Sequence, residues 1–327
     1  MPLVDGFGRV HKDLRVSLTD KCNLRCTYCM PEEGIDWISK AMHLTLEEII
    51  RVVKILCAEG IEEIRLTGGE PLLRPDVVEL VKALNKIESK PAISMTTNAT
   101  RLDVLAQDLF DAGLSRLNIS LDTLDREKFK ELSRRDGLEE TLSGINASIK
   151  AGFEPIKINA VLMRGINDDE ALPLLDWAIE NNLQLRFIEQ MPLDAQHAWD
   201  RKQMISREEI YQALSKKYVL EPVGNRGADP AELFEVKGTV VKVGIIASVT
   251  EPFCGNCDRL RLTSDGQIRN CLFATEESDL RIPLRNGADD QILKEIILNN
   301  LAAKKKGHGI DDSNFVQPIR PMSAIGG

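Results

Sequence analysis

Nothing in the 327 residues approaches the roughly 20 consecutive apolar side chains that a membrane-spanning helix requires. The opening residues, Met1 to His11, also lack the apolar centre of a secretory signal, so a cytoplasmic protein is expected. Positive charge is not in excess. Lys and Arg number 42 against 51 Asp and Glu, a net charge of −9, which argues against a general nucleic-acid or membrane-surface binder and leaves room only for a local basic pocket. Only four histidines are present, with no Ser-His-Asp or paired-carboxylate constellation, so acid–base hydrolysis is not the indicated chemistry. No G-x-x-x-x-G-K-[ST] run occurs, and phosphate recognition would have to use something other than a P-loop. Internal repeats and low-complexity segments are absent. In a reducing compartment the seven cysteines read as metal ligands or buried thiols rather than disulfides.

What is present is an ordinary globular composition, 43% hydrophobic and 28% charged, on a chain long enough to bury a large core. Short β-like runs at 14–19, 63–67, 92–97, 116–121, 156–162 and 184–188 alternate with helical spacing. Over 45–59, Thr45 and Glu48 have capping-box spacing, apolar residues recur at helical intervals and Gly60 suits the stop. Residues 74–85 carry the same period. Strand, helix, strand at this spacing predicts right-handed βαβ crossovers and a parallel sheet, open or as a partial barrel, with function at the carboxyl ends of the strands. Beyond about 192 the alternation fades: 206–216 looks helical, 221–229 is turn-rich and 239–246 is strand-like.

The first strand leads into Cys22-Asn-Leu-Arg-Cys26-Thr-Tyr28-Cys29. Three thiolates on one short loop can hold three irons of a cubane cluster, leaving the fourth iron open to a small molecule. A zinc knuckle is the structural alternative, but it wants a fourth ligand and none lies nearby. Tyr28 could pack beside a cluster, stack on a purine, or simply fill core. Gly68-Gly69-Glu70-Pro71 ends the second strand, where glycine permits a close backbone approach or a tight turn. With both motifs in place the chain resembles the radical S-adenosylmethionine superfamily. That resemblance implies a partial (β/α)6 TIM-like barrel, a 4Fe–4S cluster on Cys22, Cys26 and Cys29, and S-adenosyl-L-methionine chelated by the open iron.

A second group, Cys254-Gly-Asn-Cys257 with Cys271, again offers three ligands. Zinc completed by His308 is an alternative to a cluster. Arg259 and Arg261 stand between the ligands, two apart and so on one face of an extended segment, where bidentate guanidiniums suit phosphate. A salt-bridged surface strand is the plainer reading of that pair. Cys57 falls on the apolar stripe of 45–59 and reads as a buried thiol.

The two cysteine groups together narrow the resemblance to the GTP-cyclising radical enzymes of molybdenum-cofactor biosynthesis. It runs through 65–71, 157–163, 186–189, 254–261, 271–273 and the closing Ile325-Gly326-Gly327. It implies a second 4Fe–4S cluster on Cys254, Cys257 and Cys271, in a C-terminal α+β lobe at 221–327 that follows the barrel at 1–220. It also implies adenosylmethionine contacts at Tyr28, Gly69, Ser120 and Met191. GTP contacts would be Arg15, Arg65, Thr96, Lys157, Arg259, Leu260 and Arg261, with Gly326 and Gly327 needed for catalysis. The charges agree: GTP carries about four negative charges near neutral pH, and these five basic residues oppose them. A homodimer, a reductant and a downstream pterin-forming enzyme are the implied partners. Two other readings stand beside this one: a radical enzyme acting on a peptide or other small molecule with an auxiliary electron-transfer cluster, and a non-catalytic iron–sulfur or zinc protein.

Overall fold

The computed structural model describes residues 2–326. Six parallel strands come first: β1 (Asp13–Ser17), β2 (Glu63–Thr67), β3 (Ala92–Thr97), β4 (Arg116–Ser120), β5 (Ile156–Val161) and β6 (Gln184–Ile188). They lie side by side in chain order, as successive βαβ crossovers require. Helices α1 (Leu46–Ala58), α2 (Val77–Leu84), α3 (Leu102–Asp111), the pair α4 (Arg126–Ser133) and α5 (Leu138–Ala151), and α6 (Ala171–Glu180) make the crossovers. The boundaries expected from sequence hold to within a few residues. The first strand starts at Asp13, which already pairs with Arg259 and Glu63, and it stops at Ser17, beyond which the Thr19 carbonyl accepts from the Gly69 amide at 2.7 Å.

Local chemistry explains the helix ends. Thr45 Oγ1 accepts from the Glu48 amide at 3.2 Å while Glu48 Oε2 accepts from the Thr45 amide at 2.8 Å, a complete capping box on α1. Gly60 follows at φ +108°, a conformation that favours glycine. Cys57 is buried on the inward stripe of α1, in the core.

The rest of the chain does not fold apart from this sheet. It contributes α7 (Arg207–Ser215), β7 (Leu220–Pro222), β8 (Glu232–Val236), β9 (Lys242–Ile246), β10 (Arg259–Leu262), β11 (Gln267–Arg269) and β12 (Ser278–Asp279). Then come α8 (Arg281–Arg285), α9 (Asp290–Ala302) and the short α10 (Met322–Ile325). β9 joins parallel beside β6 and β10 joins parallel beside β1. Among the described residues the result is one twelve-stranded sheet, in which C-terminal strands extend the parallel six at both edges. The sheet therefore runs across the boundary expected near 220. Among the described residues no helix is long and apolar enough to cross a membrane.

Strand alternation separates two environments. One face carries Leu14 and Val16, Ile64 and Leu66, Ile93 and Met95, Leu117 and Ile119, Ile158 and Ala160, Leu185 and Phe187, all buried in the hydrophobic core. The opposite face carries Arg15, Arg65, Thr96, Asn118, Ser120, Lys157, Asn159 and Arg186, and it is the inside of the partial barrel.

Candidate active site

Two cavities open along that polar face. The smaller, about 160 Å³, is bordered by Cys22, Cys26 and Cys29 and by the ends of β2, β3 and β4. The larger, about 270 Å³, is bordered by Cys254, Cys257 and Cys271 and by five arginines, Arg15, Arg65, Arg186, Arg259 and Arg261. Tyr28, Thr96, Ser120, Asp122 and Met322 border both, so the cavities share a wall.

The glycines at the end of β2 fix the first cysteine loop. A Cβ on Gly69 would stand 2.3 Å from the Lys21 carbonyl oxygen, and one on Gly68 2.5 Å from that of Thr19. Gly68 also lies at φ +149°. Backbone thus meets backbone at this turn, on the wall of the smaller cavity. The Glu70 amide donates to the Lys21 carbonyl at 2.7 Å. The buried Glu70 carboxylate accepts from the Thr97 hydroxyl at 2.7 Å, the Asn98 amide at 2.7 Å and the Leu72 amide at 3.0 Å, tying β2 to β3. Burial pushes it up to about 7 despite these donors.

All three thiols of the loop are free. Burial pushes Cys22 up to about 12 and Cys29 up to about 11, and raises Cys26 as well. Such thiols ionise when a metal draws off the proton, and the donor set suits a thiolate-held cluster. Tyr28 donates to Asp122 Oδ2 at 2.7 Å, and Asp122 Oδ1 accepts from the Val161 amide at 2.8 Å. The aromatic ring is thereby pinned on the wall between the cavities.

The second trio has a different electrostatic setting. Burial raises Cys254. At Cys257 burial also pushes upward, but the charges of Lys304, Arg259 and Arg261 outweigh it and hold the thiol below its usual value. Among the described residues no three His, Cys, Asp or Glu side chains converge as a single-ion site. His308 borders the cavity, yet its Nε2 lies 3.0 Å from the Ser248 carbonyl and its Nδ1 accepts from the Ile310 amide at 3.1 Å. Both ring nitrogens are engaged, so in this arrangement His308 offers no free nitrogen as a fourth ligand. Three thiols spread along a cavity wall and surrounded by cations fit a negatively charged thiolate cluster.

The register of β10 on β1 and of β1 on β2 sets Arg261, Arg15 and Arg65 abreast across three strands. The Nε atoms of Arg15 and Arg186 are buried without a hydrogen-bond partner, and Arg259 Nε has only Asp13 Oδ2, 3.5 Å away. Burial, reinforced by neighbouring arginine charges, lowers Arg15 and brings Arg261 down to about 10. Arg186 also falls to about 10, by burial first and then by the charges of Arg65 and Arg116. Unsatisfied guanidiniums facing one cavity are costly unless an anion enters it.

Of the residues singled out from sequence, Tyr28, Thr96, Ser120, Met191, Arg15, Arg65, Arg259, Arg261 and the six cysteines border one or both cavities. Gly69 borders the smaller. Lys157 shares the inner face, two positions before Asn159 on β5, and borders neither cavity. Leu260 requires correction. Alternation turns its side chain to the opposite face, fully buried in the core, so it cannot reach the cavity as Arg259 and Arg261 do. Gly326 is buried at the top of β1 and β2, its carbonyl accepting from Arg261, and a Cβ there would stand 2.9 Å from Thr67 Cγ2. Gly327 lies outside the described residues.

Sequence reasoning gave no role to Arg186, which sits inside a run it had picked out, or to Asp122, which directly follows the run at 116–121. A charge at an inward position of a predicted strand was the available signal for Arg186. Met322 and Ser323 of α10 carried no signal. Met322 nevertheless lines both cavities and Ser323 sits against Cys29.

Comparison with known proteins adds to this geometry. Residues 16–178 match the Radical SAM superfamily and residues 183–310 match Molybdenum Cofactor Synthesis C. The chain is 54% identical over 328 residues to the GTP 3′,8-cyclase of Streptomyces coelicolor, covering 99% of this chain and 96% of that one. It is 49% identical over 336 residues to the GTP 3′,8-cyclase of Corynebacterium glutamicum, covering 99% and 89%. Among solved structures it resembles Streptococcus suis SuiB bound to S-adenosylmethionine, with a TM-score of 0.57 at 15% identity, covering 88% and 68%. That last likeness concerns the fold alone.

Proposed function

Because this chain belongs to the GTP 3′,8-cyclase family of radical SAM proteins, we propose that it converts GTP to (8S)-3′,8-cyclo-7,8-dihydroguanosine 5′-triphosphate, an early step of molybdenum-cofactor biosynthesis. The observation that carries this reading is the convergence of five arginines on the cavity of the second cysteine trio, with a wall shared with the first.

Cys22, Cys26 and Cys29 would hold one 4Fe–4S cluster and Cys254, Cys257 and Cys271 a second. When bound, the first cluster with adenosylmethionine supplies the radical that abstracts hydrogen from the substrate ribose. The chain supplies position. Tyr28, Ser120 and Met191 border the space between the two trios, where adenosylmethionine and GTP would face each other. Arg15, Arg65, Arg186, Arg259 and Arg261 offer fixed charge and forked donors to the triphosphate. Thr96, on the shared wall, presents a hydroxyl from β3 to the space between the two ligands. Lys157 adds long-range charge from deeper on the same face. Arg261 donates at the same time to the Gly326 carbonyl, so a nucleotide held by Arg261 would lie beside Gly326. Ring closure between two carbons of one nucleotide depends on holding them together, and an enclosed site also keeps water from the radical. A homodimer, a reductant and a pterin-forming enzyme acting on the product complete the reading.

Anaerobic reconstitution followed by adenosylmethionine, dithionite and GTP tests it. The expected result is 5′-deoxyadenosine formed together with loss of GTP and appearance of the cyclised nucleotide. Formation of 5′-deoxyadenosine without GTP consumption would instead favour a radical enzyme for another substrate.

A further inference from the structure

Lys304, Lys305 and Lys306 follow α9, and a run of three lysines ordinarily lies in solvent. Here Lys305 and Lys306 are exposed, whereas Lys304 is only 4% exposed. A buried ammonium is costly unless something compensates it. Lys304 Nζ donates to the Arg259 carbonyl at 2.9 Å and lies 3.6 Å from Cys257 Sγ. Among the described residues it makes no ion pair with a carboxylate; the anions that Cys257 and Cys271 can provide favour its charge, and the Asp258 carboxylate feels it as well.

The surrounding chain enforces this placement. Arg9 donates to the Cys254 carbonyl at 2.6 Å, to the Lys306 carbonyl at 3.0 Å and to the Lys305 carbonyl at 2.8 Å. Its Nε is held by Asp5 at 2.6 Å, and Asp5 also engages the fully buried His11 at 3.1 Å. One guanidinium thus clamps the second cysteine loop to the segment after Lys304, and the ammonium is left pointing at a ligand sulfur. Arg259 Nη1 approaches the same sulfur only at 4.0 Å and gives its Nη2 to the Ala228 carbonyl at 2.7 Å.

We infer that Lys304 is a positioning residue of the second cluster, donating to the Cys257 thiolate and raising the reduction potential of that cluster through its fixed positive charge. A donor and a cation at a ligand sulfur stabilise the more negative, reduced state, which is how surrounding groups tune such centres. The inference rests on the two-cluster reading of the site.

The test is a redox titration of reconstituted enzyme followed by electron paramagnetic resonance, with iron and sulfide counts. The Cys22→Ala/Cys26→Ala/Cys29→Ala variant identifies the signal of the second cluster. In Lys304→Met that cluster should become at least tenfold harder to reduce, a fall of about 59 mV for one electron, while Lys304→Arg, which keeps the charge, should stay close to wild type. An unchanged potential in Lys304→Met overturns the inference, as does a Lys304→Arg variant shifted as far as Lys304→Met. If Lys304→Met loses the cluster, Lys304→Arg decides: retention supports the role of the charge, and loss overturns it. Wild-type enzyme holding iron for one cluster only would defeat the two-cluster reading and this inference with it. Iron for two clusters with an unmoved potential would defeat the inference alone.

Discussion

At the scale of single residues the dominant fact is positive charge held where water is scarce. Lys157 shows how that charge would report on the ligand. Burial, then the charges of Arg186 and Arg116, bring its ammonium down to about 8 from an ordinary 10.5, with Asp229 opposing. At pH 9 the empty site therefore holds Lys157 mostly neutral. A polyanion beside it favours the protonated form and returns its pKa toward 10.5, so binding takes up a proton between about 8 and 10.5. GTP affinity should accordingly weaken as pH rises through that window, and Lys157→Arg should remove the dependence at its lower end, from about 8 to 9, below the range near 10 where Arg186 and Arg261 also titrate. Calorimetry in buffers of different ionisation enthalpy measures the proton uptake directly, and pH-independent binding without uptake would show that Lys157 does not feel the nucleotide. The resemblance pointed to Lys157, Arg15 and Arg65, and the strand period puts each of them on the inner face. The same reasoning reaches Arg186, whereas Leu260 came in with the resemblance, and the alternation that puts Arg259 and Arg261 on one face turns its side chain to the core.

At the scale of elements the capping box of α1, the stop at Gly60 and the six parallel strands were readable locally, since each depends on side chains a few residues apart. The Gly68-Gly69 turn was readable as a motif but not as a contact. Its partner is the backbone of 19–21, and nothing in the local pattern says that the end of β2 closes on that loop. Gly69→Ala should push the cysteine loop away, costing about 1–3 kcal/mol in stability. It should also lower the iron held by the first trio while leaving that of the second. Iron counts and thermal unfolding of the variant check this, and a fully loaded first cluster at wild-type stability would contradict it.

For the molecule as a whole, the C-terminal third completes the sheet at both ends. β10 covers the edge of β1 and β9 covers the edge of β6, so a chain of residues 1–220 would expose two parallel edges and leave the core beside Leu14 and Val16 without Leu260 and Leu262. Exposed edges of this kind template aggregation. Expressed alone, 1–220 should be insoluble or expanded, whereas the full chain is compact. Size-exclusion chromatography and circular dichroism distinguish the outcomes, and a monomeric, cooperatively melting 1–220 fragment would show that the barrel is independent of the C-terminal strands.

The sequence by itself determined the ligand inventory, two sets of three thiols, together with the strand period that sends arginines inward and aliphatics outward. Those properties are local, fixed by spacing and by the alternation of an extended chain. Only the tertiary structure decided that the two trios border adjoining cavities with a common wall, that Arg261 stands abreast of Arg15, that Gly326 returns to the top of β1 and that one lysine of three is buried against Cys257. Those are pairings between segments distant in the chain, 47 positions apart for Lys304 and Cys257 and far more for the others. They are selected by closing the sheet and filling its core, and no short stretch of sequence records them.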